Sequence, residues 1–158
     1  MLKLRFIVVD RTREVFLKEG ESFYLNRLRK YVQADWKEVK PAKITKQRPP
    51  KEVMDEEAGN LLKMISSGDH VVALDRLGKQ FDSETMARWL EQLSIEQVGG
   101  HVCFLIGGPM GLAKAILKKA DLVLSLSRLT LTHEMARLFL LEQLYRSMTI
   151  IKGHQYHK

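Results

Sequence analysis

The sequence predicts an α/β domain: a mostly parallel sheet with helices covering both of its faces. Three observations point there. The apolar residues change period repeatedly along the chain, from strand spacing to helical spacing and back. Two candidate strands, residues 70–75 and 102–106, hold short continuous apolar runs, as strands buried on both faces of a parallel sheet do. The second opens directly into a glycine-rich loop, Gly107-Gly-Pro-Met-Gly111, and ligands in such sheets bind beyond the carboxyl ends of the strands.

Taken in order, residues 2–9 form a first strand. From about 14 to 32 the spacing turns helical, with Val15, Phe16, Phe23, Leu25, Leu28 and Val32 set among charges. A short, weak strand is expected over 36–44, then a loop over 46–50. Pro50 suits the first position of a helix running to about 65, which Ser66-Ser-Gly-Asp69 ends. After the strand at 70–75, Asp82-Ser83 can cap a helix carrying Met86, Trp89, Leu90 and Leu93. Gly99-Gly100 breaks the chain before the strand at 102–106. A helix to about 119, a strand over 122–126 and a loop over 127–132 follow. The last helix spans 133 to about 148 and is apolar nearly all round, so it must be buried on more than one side. A symmetric homodimer contact is the economical expectation for its second side. Residues 152–158 read as a polar tail.

Composition narrows the partners. Lys and Arg number 26 against 19 acids, a net charge of +7 that favours a polyanion. Lys114, Lys118 and Lys119, or Arg27, Arg29 and Lys30, are candidate phosphate contacts, with a plain solvated face the alternative for each group. A single cysteine, Cys103, allows no internal disulfide, which fits a reducing cytoplasm. It lies inside an apolar strand and reads as a small core residue. No apolar run has membrane-spanning length, and the charged start is unlike a signal peptide. With no linker or repeat, residues 1–158 are expected to form one domain.

Most familiar motifs are absent. No Gly-Lys-Ser/Thr follows the glycines, so there is no phosphate-binding P-loop. The loop 107–111 lacks the dinucleotide spacing and follows the fourth strand rather than the first. There is no G-x-S-x-G elbow. His154 and His157 are three apart, but nothing near them completes a metal site, and a solvated tail is the plain alternative. Three loops remain at the ligand edge: after Leu74-Asp75, at 107–111, and at 126–131.

Those loops carry a resemblance. Val71-Val-Ala-Leu-Asp75, Gly78-Lys with Phe81-Asp-Ser83, Phe104-Leu-Ile-Gly-Gly-Pro-Met-Gly111 and Leu124-Ser-Leu-Ser-Arg-Leu-Thr-Leu-Thr-His133 occur in that order. Glu142-Gln-Leu-Tyr-Arg146 and His154-Gln-Tyr-His-Lys158 complete the series. Together, over essentially the whole chain, they resemble the RlmH-type SPOUT methyltransferases, which methylate N3 of a pseudouridine in large-subunit ribosomal RNA. Met110 stands where that family commonly has a polar residue, and Thr132 where it commonly has proline.

The resemblance implies a SPOUT-type fold with a C-terminal trefoil knot, S-adenosyl-L-methionine as cofactor, a homodimer, and rRNA within the ribosome as substrate. It implies cofactor contacts from Leu74, Gly107, Gly108, Leu126, Ser127, Arg128, Leu129, Thr130 and Leu131. It also implies that Arg146, His154, Tyr156 and His157 meet the substrate base near the subunit interface. His157 or His154 would take the imino proton, Arg146 would stabilise the anion, and Tyr156 would position or stack on the base. Two alternatives stay open: a module that binds S-adenosylmethionine or RNA without methyl transfer, and a SPOUT methyltransferase with a different RNA target.

Overall fold

The computed structural model describes residues 1–96 and 99–158. Five strands alternate with five helices: β1 (Lys3–Val9), α1 (Val15–Leu28), β2 (Gln33–Val39), α2 (Pro50–Leu62), β3 (His70–Gln80), α3 (Ser83–Ile95), β4 (Val102–Ile106), α4 (Lys114–Lys119), β5 (Leu122–Ser125) and α5 (His133–Ile151). The strands make one sheet in the order β2-β1-β4-β3-β5, every neighbouring pair parallel.

Side-chain alternation splits the core in two. Leu4, Phe6, Val8, Val72, Phe104 and Leu124 point to one face, where α1, α3 and α5 cover them. Ile7, Val9, Val71, Ala73, Cys103 and Leu105 point to the other, beneath α2 and α4. Both faces are therefore buried, and β4, at the centre, has all five residues buried. Phe6 and Phe104, paired in register, stack at 5.5 Å. The cap at Asp82 forms as expected, its carboxylate accepting from the Thr85 amide at 2.7 Å.

α1 and α2 end at Leu28 and Leu62, short of the expected 32 and 65, and three further elements differ from expectation. β2 lies at 33–39 rather than 36–44, because its partner is the whole of β1, from Lys3↔Gln33 to Val9↔Val39, and Pro41 cannot donate to a ladder. β3 runs on past Asp75. Residues 75–78 leave the ladder, and Lys79 and Gln80 then rejoin β5 opposite Leu124 and Ser125. Gly78 permits this, since a Cβ there would lie 2.6 Å from the Val123 carbonyl oxygen. The third is α5, which extends to Ile151 and packs against both α1 and α3 as well as the sheet. Those two helices bury most of its all-round apolar surface within the chain. Met135 and Phe139 remain exposed, at 37% and 38%.

Arg137 of α5 is completely buried. It donates to the Val9 carbonyl at the end of β1 (2.5 Å) and to the Thr12 hydroxyl (3.0 Å), which in turn donates to Glu21 of α1 (2.6 Å). This network pins the amino end of α5 to the carboxyl end of β1.

Candidate active site

At the carboxyl edge, the ends of β3, β4 and β5 open into a cleft of about 820 Å³. Its floor is the turn after β4. The Gly111 amide donates to the Gly108 carbonyl at 3.0 Å, and Gly111 itself has φ +82°, a conformation that glycine adopts without strain. A Cβ on Gly107 would stand 2.6 Å from the Gly111 carbonyl carbon, so backbone meets backbone there. A second wall comes from the loop after β5. Ser125 donates from its hydroxyl to the carbonyls of Arg76 and Ser127, and the Leu129 amide donates to the Ser127 hydroxyl. Arg76 and Arg128 then exchange guanidinium-to-carbonyl bonds at 3.2 and 3.0 Å, tying the excursion after β3 to the loop after β5.

Eight of the nine residues expected at the cofactor, Leu74, Gly107, Gly108, Leu126, Ser127, Leu129, Thr130 and Leu131, line this cleft. Arg128 does not, because its side chain is engaged with Arg76. The amino end of α5 closes one side. Thr132, in the place where proline was expected, caps that helix by accepting the Met135 amide. His133 and Glu134 face the cleft. Burial, with the Arg137 cation behind it, pushes the His133 ring below its ordinary value, so it is neutral at pH 7. Burial would raise the Glu134 carboxyl, but the amides of Glu14 and Arg13 that it accepts hold it below its ordinary value, and it stays charged. Glu14 and Leu17 of α1 also reach the cleft, and so do Asp75 and Arg76. No local motif announces the α1 residues. They arrive through the contact between Glu134 and the start of α1.

Arg146, His154, Tyr156 and His157 come together, but elsewhere. The tail folds back on α5 around Glu142, which accepts from Arg146 (2.6 Å) and from the Tyr156 hydroxyl (3.1 Å). Arg146 also lies 4.8 Å from the centre of the Tyr156 ring. His157 bridges Arg146 (3.4 Å) and Glu84 (3.3 Å), and His154 meets the Tyr31 hydroxyl at 2.9 Å. The bond to Glu142 raises the Arg146 value, and burial raises that of Tyr156, so the cluster keeps one fixed cation and one neutral phenol. Arg146 lies thirteen residues along α5 from His133, about 20 Å at the helical rise. Cleft and tail cluster are therefore separated along one helix, the cleft at its amino end and the cluster on its middle and second half.

Cys103 is fully buried and donates to Asp69. Burial, followed by the Asp69 carboxylate, pushes its thiol up to about 12, as befits a core residue rather than a nucleophile. Among the described residues no group of three His, Cys, Asp or Glu side chains could hold a metal ion, and no helix is long and apolar enough to cross a membrane.

The parallel sheet thus carries a leucine-walled cleft with a glycine turn at its carboxyl edge, where such sheets hold their ligands. The family model described as "Predicted SPOUT methyltransferase" matches residues 2–157, and the chain belongs to that family. Curated relatives match over nearly their whole length. "Ribosomal RNA large subunit methyltransferase H" of Cytophaga hutchinsonii is 36% identical over 157 residues, covering 99% of both chains. The proteins of the same name from Desulfitobacterium hafniense and Rubrobacter xylanophilus are 38% identical over 162 residues and 45% over 141, covering 100% and 88% of both chains respectively. A solved structure, a probable methyltransferase from Bordetella pertussis Tohama I, superposes with a TM-score of 0.55 over 93% of this chain and 95% of that one. At 14% identity it speaks for the fold alone.

Proposed function

We propose that this chain methylates N3 of a pseudouridine in large-subunit rRNA, using S-adenosyl-L-methionine. In this reading it acts as a homodimer of single 1–158 domains, in the cytoplasm, on the assembled ribosome. The observation that carries the reading is the end-to-end match to proteins named as rRNA large subunit methyltransferases. The cleft suits the cofactor. Leu74, Leu126 and Leu131 offer an apolar slot for an adenine ring, and the glycine turn brings backbone close without an intervening Cβ. The carboxylates of Glu14, Asp75 and Glu134 line it too and favour a cationic ligand. The knot belongs to the same reading, supported by the return of β3 to β5 at Lys79 and Gln80.

Bound S-adenosylmethionine would supply a methyl group on a positively charged sulfur. The chain must remove the imino proton of the base and hold the resulting anion while the nitrogen attacks. His157 or His154 takes the proton, Arg146 stabilises the anion, and Tyr156 positions the ring. Within one chain Arg146 is about 20 Å along α5 from His133 at the cleft, so the reading brings these groups from a second copy. Val15, Phe16 and Phe23 of α1, with Met135 and Phe139 of α5, give two packed helices an exposed apolar surface suited to that contact.

The test is transfer of labelled methyl from S-adenosylmethionine to ribosomes lacking the modification, with free large subunits and bare rRNA in parallel. Label at one pseudouridine of large-subunit rRNA is expected. No label in any sample, with cofactor binding intact, would overturn the reading.

A further inference from the structure

The carboxyl edge of the sheet carries a second surface, over β1 and β2, that the cofactor cleft leaves unused. From Val39 to Lys51 the chain holds five cations, Lys40, Lys43, Lys46, Arg48 and Lys51, and no carboxylate. Arg48 binds Glu52 and Glu56, and Lys51 binds Asp55. Arg48 also fixes the loop from within, donating to the Lys43 carbonyl at 3.0 Å. Lys40, Lys43 and Lys46 are exposed, and no ion pair engages them among the described residues. Arg11 is exposed alongside, its neighbour Asp10 bonding the Val39 carbonyl through its amide.

This cationic loop abuts the cleft. Glu57, nearly fully buried, accepts the Ala42 amide at 3.1 Å with one oxygen. Its other oxygen lies 3.5 Å from where a Cβ on Gly108 would stand. One carboxylate thus separates the lysine loop from the glycine floor. Of the basic residues suggested by the sequence, Lys114 opens α4 just after the glycine turn, while the others lie at the far edge. Lys118 and Lys119 close α4 just before Asp121, whose amide bonds Val71 near the amino end of β3. Arg27 is occupied over the Phe23 ring at 3.7 Å, and Arg29 donates to the Ala34 carbonyl.

We propose that Lys40, Lys43 and Lys46, with Arg11, form a track for the RNA sugar-phosphate backbone that leads the target nucleotide to the cleft. The inference rests on the rRNA reading above and adds to it the surface that grips the substrate. An exposed row of unpaired cations beside a methyl-transfer cleft suits phosphates, which bind by releasing counterions and need no shaped pocket.

The test compares full-length wild type, the triple variant Lys40→Gln/Lys43→Gln/Lys46→Gln, and Lys118→Gln/Lys119→Gln as a charge-loss control. KM for large subunits would be followed from 50 to 200 mM salt. The triple variant should raise KM by about tenfold or more at low salt and flatten the log–log salt slope by about 2 to 3. Its affinity for S-adenosylmethionine and its thermal midpoint should not move, and the control should behave as wild type. In parallel, a photoreactive amino acid replaces Ile44, which is 47% exposed in the middle of the loop. Crosslinks to rRNA support the track. Crosslinks only to ribosomal protein, or a triple variant indistinguishable from the control, would overturn it while leaving the methyltransferase reading intact. A wild type that transfers no methyl group would overturn both.

Discussion

Replacing Arg137 by Met tests how the cleft is held. The guanidinium is fully buried and makes two hydrogen bonds, to Val9 and Thr12, the second continuing to Glu21. Met fills much of the volume but leaves the Val9 carbonyl and the Glu21 carboxylate without their cation. Hydrogen bonds to charged groups contribute about 1.5–3 kcal/mol each, and breaking a buried charge pair costs about 3–5 kcal/mol. A loss of about 3–5 kcal/mol follows, which at about 2–4 °C per kcal/mol is a fall in Tm of roughly 6–20 °C. The loss should also depend on pH. Burial pushes the Glu21 carboxyl above its ordinary 4.5, while Thr12 and Arg137 pull it down. A raised folded value means that the folded chain holds the proton more readily than the unfolded chain. The cost is therefore absent below about 4.5 and grows as pH rises through the folded value. Without Arg137 that value climbs further, so the deficit of Arg137→Met should be largest at neutral pH and shrink toward pH 4.5. Urea unfolding at pH 7 and pH 5 measures both effects. A loss below about 1 kcal/mol, or one equal at the two pH values, would refute the account of α5 as charge-anchored.

Gly107→Ala must push backbone against backbone in the turn after β4, so S-adenosylmethionine affinity by calorimetry should fall about tenfold or more while the chain stays folded. Unchanged affinity would remove that turn from the cofactor site. Phe139→Asp, on the exposed apolar surface, should shift sedimentation at micromolar concentration from dimer to monomer, and a variant that stays dimeric would place the interface elsewhere. Cys103, with its thiol pushed up to about 12 and fully buried, should resist iodoacetamide at pH 8 until denaturant is added; fast labelling of the native protein would contradict the core packing.

The strand bounds at 102–106 are the same in sequence and structure because an uninterrupted apolar run has one stable place, the middle of a doubly covered sheet. Asp82 and Pro50 are equally legible, since a cap and a first-turn proline act within their own helix. What the sequence conceals is non-local. The extension of β3 depends on how closely Val123 approaches Gly78, which no spacing reveals. Nothing near Arg137 in the sequence signals its burial, because Thr12, its partner, lies 125 residues away. Glu142 and Arg146 look like an ordinary surface pair, and only the returning tail makes Glu142 a half-buried hub. Glu14 and Leu17 reach the cleft through tertiary contact alone, so motif reading finds the three loops and misses the helix that joins them.

With the cleft at the amino end of α5 and the tail cluster well along it, a dimer that pairs them across its interface makes each working centre from two chains. Genetic complementation becomes a matter of counting. One chain crippled only in its glycine turn and another crippled only in its tail are each dead as homodimers. Mixed at equal amounts, half the dimers are hybrids, and in every hybrid one centre joins the sound cleft of one chain to the sound tail of the other. About a quarter of all centres then recover, whereas centres confined to single chains would recover none. A helical separation of about 20 Å between His133 and Arg146 would in this way turn one chain's two half-sites into an obligation to pair.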